Sequence, residues 1–394
     1  MNTLDIDLEA MMSDPYPTFA ELRADEQWRW SDQLKMWLVS RYDDVVFVDE
    51  NPDIFSLQVP NNLMTRTVGT AMVRLDGAAH QRIRTASGEP LKRRAVQRDW
   101  KKVITDLVEE LVSPLRTRTS AELMTDVASP LTGACLREVI GLLDATPADI
   151  ERWSGAFIAG LINNSDDPQV WANARLASDE VRASVESNLI RVRKDPDASV
   201  ISSMADAHPA DALSVEEISS NIRLMIAGGF NDARDALATL PWLLMKHPDA
   251  RDRVFNDPKA FERAIDESVR WLTPIGSYPR VLAQDYSSPS ADLKAGDRVL
   301  VIAASANHDD TKFPDPGRFD IDRPNLDEHL GFSVGAHYCL GNHLVRGMMR
   351  VLTPALLELP GIAPAADPEF TGWQFRAPVS VPVILDPTQN EQVS

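Results

Sequence analysis

Cysteine is nearly absent from this 394-residue chain, which holds only Cys135 and Cys339. Two thiols are too few for a disulfide framework or a cysteine-rich zinc site, and they fit a reducing compartment. Positive charge is also short: 40 Lys and Arg stand against 59 Asp and Glu, a formal net charge of −19. Such a surface repels nucleic acid, so no nucleic-acid partner is expected. No run of about 18 apolar residues occurs, so no membrane span is expected either. The first residues, Met1-Asn-Thr-Leu-Asp-Ile-Asp-Leu-Glu9, lack the basic and apolar regions of a secretion signal, and the expected location is cytoplasmic. Repeats and low-complexity tracts are missing. So are a glycine-rich dinucleotide motif in a strand–helix setting and a cysteine set for an iron–sulfur cluster. Electrons, if the chemistry needs them, must come from separate partners.

What remains is dominated by helical periodicity. Ser214-Val-Glu-Glu217 is a capping box, after which Ile218, Ile222, Met225 and Ile226 keep a 3.6-residue apolar spacing. The pattern predicts a helix running to about Lys246, where His247-Pro248 stops it. Inside it lie Gly228-Gly229, which cost on the order of 1 kcal/mol each in a helix interior. A sequence accepts that cost for close approach to something bulky or for a local bulge. Helices also alternate with short loops from about Gln81 to Lys194. Another helix enters through Pro15-Tyr-Pro17, followed by a short sheet near Trp37-Leu-Val-Ser and Val45-Val-Phe-Val48. The stretch Leu57 to Asp76 reads as a loop. We expect one domain over residues 1–394, with a minor β-rich portion over about 25–60.

Cys339 lies in Phe332-Ser-Val-Gly335-Ala-His337-Tyr-Cys339-Leu-Gly341, just before a helical stretch from Asn342. A cysteine opening a helix meets the positive end of the macrodipole, which favours the thiolate. Glycines at 335 and 341 let backbone pass close to a flat ligand. A thiolate so held suits the axial position of a haem iron; a buried structural cysteine is the alternative.

The spacing Phe-x-x-Gly-x-His-x-Cys-x-Gly resembles the haem-binding signature of the cytochrome P450 superfamily, with Ser333 where that family usually has Gly. Glu267-Ser-Val-Arg270 resembles its Glu-x-x-Arg pair. Phe313-Pro-Asp315-Pro316-Gly-Arg-Phe319-Asp320-Ile-Asp-Arg323 resembles its meander, whose Arg323 would close an ion network with Glu267 and Arg270. The resemblance covers essentially the whole chain. It implies a mainly α fold, a triangular helical bundle with small β-sheets. It also implies haem b (iron protoporphyrin IX) as cofactor, Cys339 as the metal ligand, and O2 and a small-molecule substrate as reactants. His80-Gln-Arg-Ile-Arg84, Arg280 and His337 match its propionate contacts, with Phe332 and Gly341 beside the thiolate. Arg93, Arg94 and Arg98, with Lys92, Lys101 and Lys102, match the side where a ferredoxin or reductase would dock. Arg346 and Arg350 would extend that patch.

One departure is chemical. Where the family has an acid followed by a threonine, this chain has Asn231 and Asp232. A carboxylic acid can relay a proton in the alcohol's place, and burial would keep it protonated near neutral pH. Gly-Gly-Phe-Asn-acid-x-Arg-Asp resembles a bacterial subgroup linked to thiocarbamate herbicide and aromatic-ether degradation, some members of which are O-demethylases. Gly229, Phe230, Ile275 and Phe375 are then candidates for the substrate pocket, where Phe230 and Phe375 would bracket an aromatic ring. The expected activity is oxygen insertion into a small aromatic or xenobiotic molecule, by O-dealkylation or hydroxylation. The alternatives are a biosynthetic hydroxylase of a natural product and a haem-thiolate protein that does not activate oxygen.

Overall fold

The computed structural model describes residues 6–388. Its elements are mostly helices, with short strands gathered in small sheets. Among the described residues no helix is long and apolar enough to cross a membrane. By their internal contacts the described residues form two compact units, one of 6–59, 238–339 and 363–383, the other of 60–237, 340–362 and 384–388.

The first unit is built on a five-stranded sheet. Its order is Arg29–Ser31, Met36–Val39, Arg298–Val301, Tyr278–Leu282 and Phe55–Ser56. Met36–Val39 and Arg298–Val301 run parallel with Leu38 opposite Leu300, while the other neighbours are antiparallel. Alternation along these strands sorts their side chains between two apolar layers. Val39, Val299 and Val301 pack with Phe55 and Phe313. Leu38, Leu300 and Ile302 pack with Phe19 and Trp373.

Val45-Val-Phe-Val48 is not part of that sheet; it lies in the helix Tyr42–Glu50. Short apolar runs do not distinguish strand from helix by periodicity, and two local features decide here. Asp43 and Asp44 sit in the first turn, where the macrodipole favours acids. The Tyr42 backbone N–H donates to the Asp309 carboxylate at 2.9 Å. Helical spacing buries Tyr42, Val45, Val48 and also Asp49.

The stretch Leu57 to Asp76 holds structure that its turn formers hide. Asn62 accepts from the Thr65 backbone N–H at 2.8 Å and starts the helix Leu63–Val68. Gly69, with φ +88, ends it. The longest helix is Val215–Lys246, 32 residues and roughly 48 Å at 1.5 Å per residue. Ser214 and Glu217 cap it reciprocally at 3.2 and 2.9 Å, and it runs unbroken through Gly228-Gly229.

Candidate functional site

In the first unit, Cys339 sits at the end of a loop that folds back on itself. Its backbone N–H donates to the Phe332 carbonyl at 2.9 Å, and Gly335–His337 forms one turn of 3-10 helix. Gly335 has φ +70, and a Cβ there would stand 3.2 Å from the Asp49 carbonyl oxygen, so glycine is favoured on both counts. Gly341, with φ −83, has a conformation any residue adopts; it is the N-cap of the helix Asn342–Leu357. Cys339 is partly exposed, whereas Cys135 is fully buried. Burial pushes the Cys135 thiol up to about 12, which makes it the inert one of the two.

Ser333, which stands where the resembled signature usually has glycine, keeps a glycine-like backbone with φ +59. Its hydroxyl donates to Asp49 Oδ2 at 2.9 Å. The same carboxylate accepts from the Tyr278 hydroxyl at 2.5 Å and from Arg280 Nη2 at 2.7 Å. Asp49 and Arg280 are each 1% exposed. Nε and Nη1 of Arg280 are buried without a partner among the described residues. An anionic group would satisfy them, so Arg280 fits a haem carboxylate. Burial, then the Asp49 charge, hold Tyr278 well above the usual phenol range, so its proton stays on as a donor.

Glu267 and Arg270 meet on the inner face of the helix Pro258–Leu272. Arg270 forks onto Glu267 at 2.6 and 2.8 Å, and Arg323 Nε reaches Glu267 Oε1 at 3.0 Å. The remaining guanidinium hydrogens cover loop carbonyls: Arg270 reaches Asn307 and Pro316, and Arg323 reaches Pro314, Asp315 and Arg318. Two cations and one carboxylate, all nearly solvent-free, fix the loop that precedes Cys339.

In the second unit, one stripe of the long helix is open. Gly228 is exposed and nothing lies within 4 Å of where its Cβ would be. Asp232 follows at i+4, on the same face. It is half-buried and makes no hydrogen bond among the described residues. Burial, assisted by repulsion from Asp235 and opposed by Arg234, pushes its carboxyl up to about 8. Gly229 points elsewhere: a Cβ there would touch Leu136 at 3.3 Å. Asn231 donates its amide to Ser154 Oγ at 2.9 Å, a tie to the helix Pro147–Leu161. Asn231 and Asp232 therefore differ in role, one holding two helices together and the other keeping its carboxyl available.

His80 is buried and Arg84 half-buried on the helix Gly77–Gly88. Burial, and then the Arg84 charge, lower the His80 pKa. Arg82, on another face, pairs with Glu217 and caps the Asp211 and Ala212 carbonyls at 3.3 and 3.1 Å. Among the pocket candidates, Ile275 forms a β-bridge with Phe375, and Ile275 is 38% exposed. Phe230 is only 1% exposed; its ring belongs to the core, the commoner place for an aromatic on a buried helix.

The exposed Arg93, Arg94 and Arg98 are partly neutralised: Arg94 pairs with Glu89 at 2.6 Å and Arg98 with Asp99 at 2.6 Å. Arg346, Arg350 and Arg93 nevertheless act together on His343, whose pKa falls through burial and then through their charges. Sequence reasoning missed Asp49, Tyr278 and Ser154. Only Tyr278 left a trace, two residues before Arg280 on one strand and therefore on the same side of it.

The family described as Cytochrome P450 matches residues 177–359. Mycinamicin IV hydroxylase/epoxidase of Micromonospora griseorubida is 28% identical over 374 residues, 88% of this chain and 89% of that protein. The methyl-branched lipid omega-hydroxylase of Mycobacterium tuberculosis is 29% identical over 355 residues, covering 86% and 81%. The crystal structure of CalO2 superposes with a TM-score of 0.85 at 27% identity, over 98% of this chain and 100% of that one.

Proposed function

We propose that the chain, which is similar to cytochrome P450 haem monooxygenases in sequence and fold, oxygenates a small aromatic or xenobiotic ether and releases the alkyl group as an aldehyde. The family's cofactor is haem b. Cys339 would ligate the iron, with Arg280, His337, His80 and Arg84 facing the haem carboxylates and Phe332 and Gly341 flanking the sulfur loop. When bound, the haem supplies O2 activation with electrons delivered by a separate ferredoxin or reductase.

The observation that carries the reading is Asp232. Its carboxyl, pushed up to about 8, holds a proton at Oδ near neutral pH. It lies one turn from Gly228, where the helix leaves open space. A proton donor at that point can serve oxygen chemistry and be refilled from water. The alternative of a family member without oxygen chemistry has no use for such a donor. Ile275 and Phe375, bridged and incompletely buried, give an apolar surface for an aromatic ring. Hydroxylation of the methyl carbon of an aryl methyl ether leaves a hemiacetal, which separates into a phenol and formaldehyde. The arginine group around His343 supports docking of an acidic electron donor near Arg93, with Arg94 and Arg98 contributing less because Glu89 and Asp99 offset them.

A second reading, hydroxylation of a larger natural product, is favoured by what the mycinamicin relative is called. Turnover with NADH, surrogate ferredoxin partners and methoxylated aromatics separates the two. Formaldehyde matching the NADH consumed carries the ether reading. A hydroxylated product without formaldehyde replaces it with the second, and absence of oxygen uptake with every ligand overturns both. In Asp232→Asn, electrons should be diverted to hydrogen peroxide; an unchanged peroxide fraction removes Asp232 from proton delivery.

A further inference from the structure

Asp49 is a buried acid that no motif picks out. It lies on the inner face of the helix Tyr42–Glu50, and its three donors come from two distant parts of the chain. Tyr278 and Arg280 sit two apart on the strand Tyr278–Leu282, and Ser333 stands six residues before Cys339 in the sulfur loop. Each donor reaches the carboxylate within 2.9 Å. The Asp49 carbonyl lies where a Cβ on Gly335 would press at 3.2 Å, so the loop rests on this residue through backbone as well.

Ser333 shows that the arrangement is built. A serine at φ +59 is strained where glycine is not. Its hydroxyl recovers that cost through a hydrogen bond to a charged acceptor. Arg280, meanwhile, spends one nitrogen on Asp49 and leaves Nε and Nη1 unsatisfied.

We propose that Asp49 is a positioning residue. It fixes the Arg280 guanidinium so that its remaining N–H groups stay available to a haem carboxylate, and through Ser333 it holds the loop that carries Cys339 against the same anchor. The inference rests on the haem reading given above and adds to it a charge relationship. Arg280 is shared between an internal carboxylate and the cofactor, so the haem meets a guanidinium whose charge Asp49 has partly offset.

Asp49→Asn keeps the shape and removes the charge. Arg280 then becomes a fuller cation beside the haem, and one of its restraints weakens. The ferric/ferrous potential should shift upward. Haem transfer to apomyoglobin should quicken by about tenfold, the factor expected for loss of one charge-assisted hydrogen bond. Ser333→Ala should quicken transfer severalfold. An Asp49→Asn protein with unchanged potential and transfer rate overturns the proposal. So does one whose melting temperature falls while its potential does not move, since that makes Asp49 structural only. Should Asp49→Asn fail to fold, Tyr278→Phe removes one donor from the same carboxylate without removing charge. Faster haem transfer then supports the network, and an unchanged rate overturns it. The unmutated protein is the control: without a red-shifted band for its reduced carbon monoxide adduct, the haem reading itself fails. A coloured parent with unaltered variants removes only the role of Asp49.

Discussion

Replacing Asp232 with asparagine should make the protein more stable, and increasingly so as pH rises. Burial first, then repulsion from Asp235, push the folded carboxyl up to about 8, while in the unfolded chain it titrates near the ordinary value of about 3.9. Between those limits the folded state holds a proton that the unfolded state has lost. Stability therefore falls with rising pH, at a limiting slope of about 1.4 kcal/mol per unit for one proton. Incomplete burial of the side chain reduces this to about 1 kcal/mol per unit. Asparagine has the shape of the protonated acid and does not titrate. Parent and variant should match near pH 4, differ by about 2 kcal/mol more at pH 7 than at pH 5, and cease to diverge above about pH 8. Asp235, which burial raises to about 6, is present in both proteins and largely cancels. Urea unfolding of both proteins at four pH values, at matched haem content, reads the difference directly. A constant offset across pH 5–8, or a variant less stable throughout, would refute the protonated carboxyl.

Three further perturbations test the scaffold. Glu267→Gln leaves Arg270 and Arg323, 0% and 4% exposed, without their carboxylate. The loss should reach about 3–5 kcal/mol, read from the denaturant midpoint, and a loss under about 1 kcal/mol would contradict the buried network. Gly276→Ala puts a Cβ 2.1 Å from the Trp373 carbonyl oxygen and should cost about 1–3 kcal/mol. Gly228→Ala meets nothing within 4 Å and should raise stability by about 1 kcal/mol. Thermal melts of the pair should move in opposite directions.

What the sequence disclosed follows from the range of each interaction. The long helix is written in adjacent residues, from the Ser214–Glu217 cap to His247-Pro248, so its ends can be placed closely. Glu267 and Arg270 are three apart, and helical spacing alone brings such a pair together. The stretch Val45–Val48 misleads because β-branched residues suit a strand, and its helix is decided by Asp309, more than 260 residues away. Asp49 was invisible for the same reason: its tie to Ser333 spans 284 positions. A glycine-to-serine change that reads as a neutral loop variation becomes meaningful only when the acid opposite it is in view. Phe230 failed differently, since an aromatic beside a catalytic helix segment reads alike whether it lines a cavity or fills the core.

The sealing of Cys135 leaves the chain with a single thiol that an external reagent can reach. A maleimide dye should therefore label haem-free molecules once, at Cys339, and spare those in which iron has claimed that sulfur. Labelling stoichiometry then counts empty chains in any preparation, without a spectrum and without a substrate.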